Sequence, residues 1–197
     1  YAGVNPQNGN ALWRNEEGLL TENYGEARRI NAGSPEPLWT GGFNTELSWR
    51  GISLGIQLEA RYGNKVLNQD RSLFEADGSY GDSNIWKGAM NYWKKPGDTN
   101  VLPKPVYNNS SNSSAISTRY LEDGSYLRIK DITLAYSLPS KWTKKALMSG
   151  VRIYASALNL YTFHNMNYWD PEHGTSGATI ISYPMTRSMI VGVDITF

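Results

Sequence analysis

From Arg187 to Phe197 apolar and polar side chains alternate, with Met189, Val191, Val193, Ile195 and Phe197 on one parity and Ser188, Gly192, Asp194 and Thr196 on the other. Successive side chains of a strand point to opposite sides, so this segment predicts a strand with one apolar and one polar face. The contrast is sharper in Phe43–Arg50 and Ile52–Tyr62, joined by a tight hairpin at Arg50-Gly51. Phe43, Thr45, Leu47 and Trp49 share a face against Asn44, Glu46, Ser48 and Arg50; Ile52, Leu54, Ile56, Leu58, Ala60 and Tyr62 oppose Ser53, Gly55, Gln57, Glu59 and Arg61. A further strand from about Tyr120 to Leu138 changes phase, since Leu127 and Ile129 are odd while Ile132, Leu134, Tyr136 and Leu138 are even. A β-bulge near Lys130-Asp131 reconciles the halves, and Pro139 ends the strand because it cannot donate to a ladder. Ser140–Gly150 reads as a basic connector with room for a short helical turn, and Val151–Phe163 as a strand with Val151, Ile153, Ala155 and Ala157 opposite Arg152, Tyr154 and Ser156.

Five antiparallel strands make the chain all-β, and two architectures fit the alternation. A soluble, secreted β-sandwich that binds carbohydrate has strands with one buried face. A transmembrane β-barrel has strands with one face to lipid and one to the lumen. The long strands, with an unbroken aliphatic face behind a charged one, favour the barrel. Five strands do not close one, since the smallest bacterial barrels use about eight. The expectation is therefore the last five strands of a large barrel, a fragment whose other strands come from upstream sequence or other chains. Barrels carry short periplasmic turns and long outer loops. Counting back from Phe197, Arg50-Gly51 and 140–150 fall on the periplasmic side, and 1–42, 63–119 and 164–186 become extracellular loops. The segments between are the hairpin 43–62, the strand pair 120–163 and the terminal strand 187–197.

Composition narrows the function classes. Mean hydropathy is -0.51, and no apolar run approaches the roughly 20 residues of a spanning helix, which excludes a helical membrane protein. Thirteen Tyr and seven Trp against four Phe favour rings with a polar handle, which settle at membrane interfaces or stack on sugars. With 19 basic and 18 acidic residues there is no electrostatic case for nucleic acid. The absence of Cys removes disulfides, thiolate metal sites and Cys nucleophiles. No leader opens the chain at Tyr1-Ala-Gly-Val, so an envelope protein would continue upstream.

Candidate chemistry is sparse. Trp86, Tyr92 and Trp93, with Tyr107 beyond them, and Tyr168 and Trp169 could stack on a glycan, or pack the loops. Glu46, Arg50, Gln57, Glu59, Arg61 and Arg152 are expected to face the lumen, touching cargo or hydrating the wall. Asp170, Glu172 and His173 flank Pro171 without the facing geometry of a glycosidase pair and form a thin metal set, so a loop-folding role is expected. The stretch Asp77 to Asn84 lacks the terminal Glu of a calcium loop, and the sequons at Asn109 and Asn112 read as polar loop. Neither an enzyme, a resident metal nor a cofactor is expected.

Seven motifs in order, nearly spanning the chain, resemble the C-terminal portion of SusC/RagA-type TonB-linked outer-membrane proteins of the Bacteroidetes. They are Ala2-Gly-Val-Asn-Pro-Gln-Asn-Gly9, Trp39-Thr-Gly-Gly-Phe43, the run Leu121–Pro139, Val151–Leu160, Tyr168-Trp-Asp-Pro-Glu172, Tyr183-Pro184 and Gly192–Phe197. The chain departs from the family pattern at Ala135, where a Gly is usual, and its segment 63–119 matches nothing assigned. The resemblance implies a plugged barrel in the outer membrane that imports oligosaccharides or peptides. A SusD-like lipoprotein would cover its mouth, with energy from the TonB complex acting on an N-terminal part outside these residues. It also implies that the terminal Phe197 is read by the barrel-assembly machinery.

Overall fold

A computed structural model describes residues 1–79, 84–107, 112–172, 177–179, 183 and 185–197. The strands are β1 (Gly3–Val4), β2 (Ala11–Arg14), β3 (Leu20–Thr21), β4 (Trp39–Trp49), β5 (Ile52–Tyr62), β6 (Lys65–Leu67), β7 (Leu121–Asp123), β8 (Tyr126–Ser137), β9 (Gly150–His164) and β10 (Ser188–Thr196), with short helices α1 (Gln69–Phe74) and α2 (Ser140–Thr143). Two compact units share the chain. One holds 1–34, 66–122 and 176–182, and the other 35–65, 123–175 and 183–197.

The second unit is a five-stranded antiparallel sheet in the order β10-β9-β8-β5-β4. Register places the predicted faces across the whole width: Leu47, Leu54, Leu134, Ala155 and Val191 align in one row. Leu47, Leu134 and Val191 are more than half exposed, on an apolar face of a kind that soluble monomers rarely carry. Aromatic residues end that face, with Trp39, Tyr62, Tyr161 and Phe163 towards one edge and Trp49, Tyr136 and Phe197 towards the other. The 11 residues of β4 reach about 33 Å at about 3.3 Å per residue. Tilted by about 40°, they cover about 25 Å, the height of a lipid-facing band.

The bulge falls where the phase change requires it. Asp131 pairs with Gln57 and Ile129 with Leu58, so Lys130 is the extra residue. Asn159, at φ +50°, takes up the shift on β9. The strand expected from Tyr120 breaks at Gly124-Ser125 into β7 and β8, because the Asp123 carboxylate accepts from both the Ser125 backbone N–H (3.0 Å) and hydroxyl (2.6 Å) and turns the chain.

Much of 1–42 and 63–119, expected as extracellular loops, belongs to the first unit. Trp39 already begins β4, and 1–34 and 66–122 fold together around Trp13, Val66, Trp93 and Tyr120, all at least nine-tenths buried. Loop-like composition does not prevent burial when polar groups are paired. The carboxylate of Glu22 accepts amide N–H bonds from Asn5 (2.6 Å), Asn8 (2.8 Å) and Asn10 (2.7 Å). These bonds, led by that of Asn10, hold its carboxyl below the usual range. The turn they fix presents Pro6 carbonyl to the Trp93 indole N–H (3.1 Å) and Gly9 carbonyl to the Lys104 backbone N–H (2.8 Å). Beneath it, Arg119 pairs with both oxygens of Asp77 (2.5 and 3.0 Å), and Arg71 pairs with Glu75 and with Glu122 (2.7 Å). Burial opposes the charge on Arg119, but its bonds to Asp77 outweigh that penalty and hold it above its ordinary value.

Candidate functional site

The polar face of the sheet carries the charges. Beyond the bulge, β8 turns Tyr126 and Arg128 onto that face, opposite Arg61 and Glu59 of β5 and His164 and Thr162 of β9. Arg128 has no exposed surface. Its guanidinium spreads over two carboxylates, one nitrogen donating to Asp170 and the other to Glu172, while Nε donates to the Thr162 hydroxyl at 2.9 Å. Lys130, projected by the bulge, bridges Glu172 (3.1 Å) and Glu59 (2.9 Å), and the Tyr126 hydroxyl donates to Glu59 at 2.7 Å. Pro171 is fully buried between the two acids. The segment after β9 is thus drawn onto the polar face by a six-residue network: Tyr126, Arg128, Lys130, Glu59, Asp170 and Glu172. A buried guanidinium shared by two carboxylates gains through geometry that one ammonium could not reproduce.

Farther along the face lies a hollow of about 390 Å³ lined by Asn44, Glu46, Gln57 and Asp131. The Asp131 carboxylate accepts from the hydroxyls of Thr133 and Ser156, both at 2.8 Å. A second hollow of about 510 Å³ takes in Glu46, Ser48, Ser53 and Arg152. Arg152 reaches Asp194 of β10 at 3.3 Å.

Glu46, Gln57, Glu59, Arg61 and Arg152 lie on the polar face by register. Arg50 sits in the hairpin at φ +49°, where period-two alternation stops, with its guanidinium 4.8 Å from the Trp49 ring centre, and it lines the second hollow beside Glu46, Ser48 and Arg152. Among the aromatic candidates Trp93 is buried, its ring packed against Gly9 in the first unit. Tyr92 is half-buried with the Lys94 ammonium over its ring at 5.3 Å. Trp86 (43%) and Tyr168 (41%) keep open surface, and Trp169 is half-buried. Phe197 is 88% exposed just past β10. His173, Asp82, Asn109 and Pro184 lie outside the described residues, and no group of metal-binding side chains occurs among the described residues.

Arg128, Lys130 and Asp131 were missed as site residues. The signal was present: Arg128 shares the parity of Tyr126 across from Glu59, and Tyr168-Trp-Asp-Pro-Glu172 supplies two acids with no local cation. Their meeting needs contacts across 42 and 44 residues, which periodicity does not encode.

No protein-family model matches the chain. Over 182 residues, 87% of its length, it is 30% identical to a TonB-dependent receptor of Formosa agariphila, of which it spans 17%. A second receptor of that organism is 27% identical over 84% of the chain, again spanning 17% of the relative. Among solved structures, the RagAB peptide transporter matches all of the chain at 30% identity and a TM-score of 0.83, the chain covering 22% of that protein. The RagAB peptide importer in its open-open state gives a TM-score of 0.84 at 29% identity, over the same shares. The chain spans about one fifth of these proteins, whose names describe receptors and transporters. Sequence and fold agree: over nearly its whole length the chain is similar to a stretch of the outer-membrane β-barrel of TonB-dependent receptors of the SusC/RagA kind.

Proposed function

We propose that the chain forms part of the wall and mouth of a TonB-dependent importer that takes up peptides through the outer membrane. The observation that supports this reading is the sheet itself, with an exposed apolar face and a charged opposite face, in a chain whose full length is similar in fold to the RagAB peptide transporter. Peptide is preferred to oligosaccharide for a physical reason. Of the rings suited to sugar stacking, Trp93 is buried and Tyr92 is half-buried under Lys94, which leaves Trp86 and Tyr168 open, whereas the polar face offers several carboxylates and cations that suit peptide termini and backbone. A SusD-like lipoprotein lid at the extracellular mouth completes the reading, with the TonB complex acting on parts of the protein beyond this stretch and the assembly machinery reading Phe197. Alternating access then releases the captured cargo inward.

Uptake of fluorescent peptides and of labelled oligosaccharides by cells with and without the full-length receptor tests the proposal. Peptide uptake that disappears on deletion supports it. Oligosaccharide uptake alone would move the cargo to glycan and assign Trp86 and Tyr168 to stacking.

A further inference from the structure

The connector between β8 and β9 is exposed in a way that the import reading does not use. Between Leu138 and Gly150 it contains Lys141, Lys144 and Lys145 and no acid. All three lysines are exposed, and among the described residues none makes an ion pair. Trp142 between them is 62% exposed and Leu147 is 89% exposed. Leu147 closes the helical turn at φ +58°, a position normally given to Gly or Asn because a Cβ there costs about 1–2 kcal/mol. A strained backbone that delivers an apolar side chain into water gains nothing in solution.

The surroundings explain it. The Ser149 backbone N–H donates to the Thr196 carbonyl at 2.7 Å, which places the connector at the end of β10 beside Phe197. Trp49, 68% exposed with the Arg50 guanidinium 4.8 Å from its ring centre, and Tyr136 finish the apolar face at the same end. Lipid contact is therefore continuous up to the connector. A Trp, an exposed Leu and several cations without counter-charges are the chemistry of a membrane boundary, where the indole and the lysine stems lie in the interface and ammonium groups meet phosphate.

We propose that the 140–149 connector binds anionic phospholipid headgroups, with Lys141, Lys144 and Lys145 on the phosphates and Trp142 and Leu147 in the acyl boundary. The site rests on the outer-membrane barrel and is independent of cargo.

The test uses the full-length receptor in detergent, titrated with phosphatidylglycerol or phosphatidylcholine and followed by native mass spectrometry. The protein should retain about tenfold more phosphatidylglycerol, given the attraction of each lysine near an anionic surface. High salt should erase the preference. The triple variant Lys141→Gln, Lys144→Gln, Lys145→Gln should lose it while keeping the heat-modifiable gel migration of a folded barrel. Should the triple variant not fold, Lys144→Gln alone is expected to cut the preference two- to threefold. In liposomes, brominated phosphatidylglycerol should quench emission that disappears in Trp142→Phe. Equal retention of the two lipids by the native protein, or an unchanged preference in a folded variant, overturns the proposal and leaves the connector to a protein partner.

Discussion

Glu22 accepts three side-chain amides, and this explains why a run such as Asn5-Pro-Gln-Asn-Gly-Asn10 folds one way. Asn5 and Asn8 each use Oδ1 to cap a backbone N–H two residues on, at 2.9 and 3.0 Å, which leaves their NH2 groups to the carboxylate. Because the folded value of Glu22 lies below its unfolded 4.5, the turn is stabilised above that pH and loses this contribution as pH falls through the lowered value. Glu22→Gln should speed hydrogen exchange of the Gly9 and Asn10 amides at neutral pH, by about 1 kcal/mol of lost protection for a partly exposed charged acceptor. It should also flatten the loss of protection expected of the native turn as pH falls through the lowered Glu22 value. Gly9 is the second fixed point. At φ +82°, a Cβ there would meet Trp93 and Lys104 at 2.7–2.8 Å. Gly9→Ala should cost about 2–4 kcal/mol from left-handed strain and overpacking together, detected as faster proteolysis within 94–104 of the folded receptor.

At the scale of elements, one extra residue in β8 decides the inner surface. Without the bulge, Arg128 and Tyr126 would fall on the apolar face and the acids after β9 would have no cation to meet. Removing the guanidinium should be expensive, since breaking a buried charge pair costs about 3–5 kcal/mol. Arg128→Ala is expected to free 165–172 to protease in membranes, and Arg128→Lys should rescue little because one ammonium does not span both carboxylates. The opposite face gives a different response. Leu134 is 53% exposed on the central strand, so Leu134→Arg should lower the amount of folded receptor in the outer membrane by about 2–4 kcal/mol of insertion energy. Thr133→Arg, next to it but on the polar face, should be tolerated in the same fractionation. Equal loss from both would count against a lipid-facing and a lumen-facing side.

Across the whole molecule, a row of aliphatic side chains exposed on one side and a set of coupled charges on the other are the two surfaces that a barrel wall requires, one for lipid and one for water. The five strands, their faces, the Arg50-Gly51 hairpin, the bulge at Lys130 and the basic connector were all legible in the sequence. Each is a local consequence of side-chain parity or of a residue that forces φ or withholds a donor. Glu46, Gln57, Glu59, Arg61 and Arg152 could be placed on their face for the same reason. The burial of Trp93 could not be read this way, because it depends on Gly9 across 84 positions of chain. Alternation thus determined, from sequence alone, which side of each strand is apolar. Only the tertiary structure decided that 1–34 and 66–122 form a folded unit and that Arg128 gathers Asp170 and Glu172, because long-range pairing of charges follows from where the chain returns in space and leaves no period in the sequence.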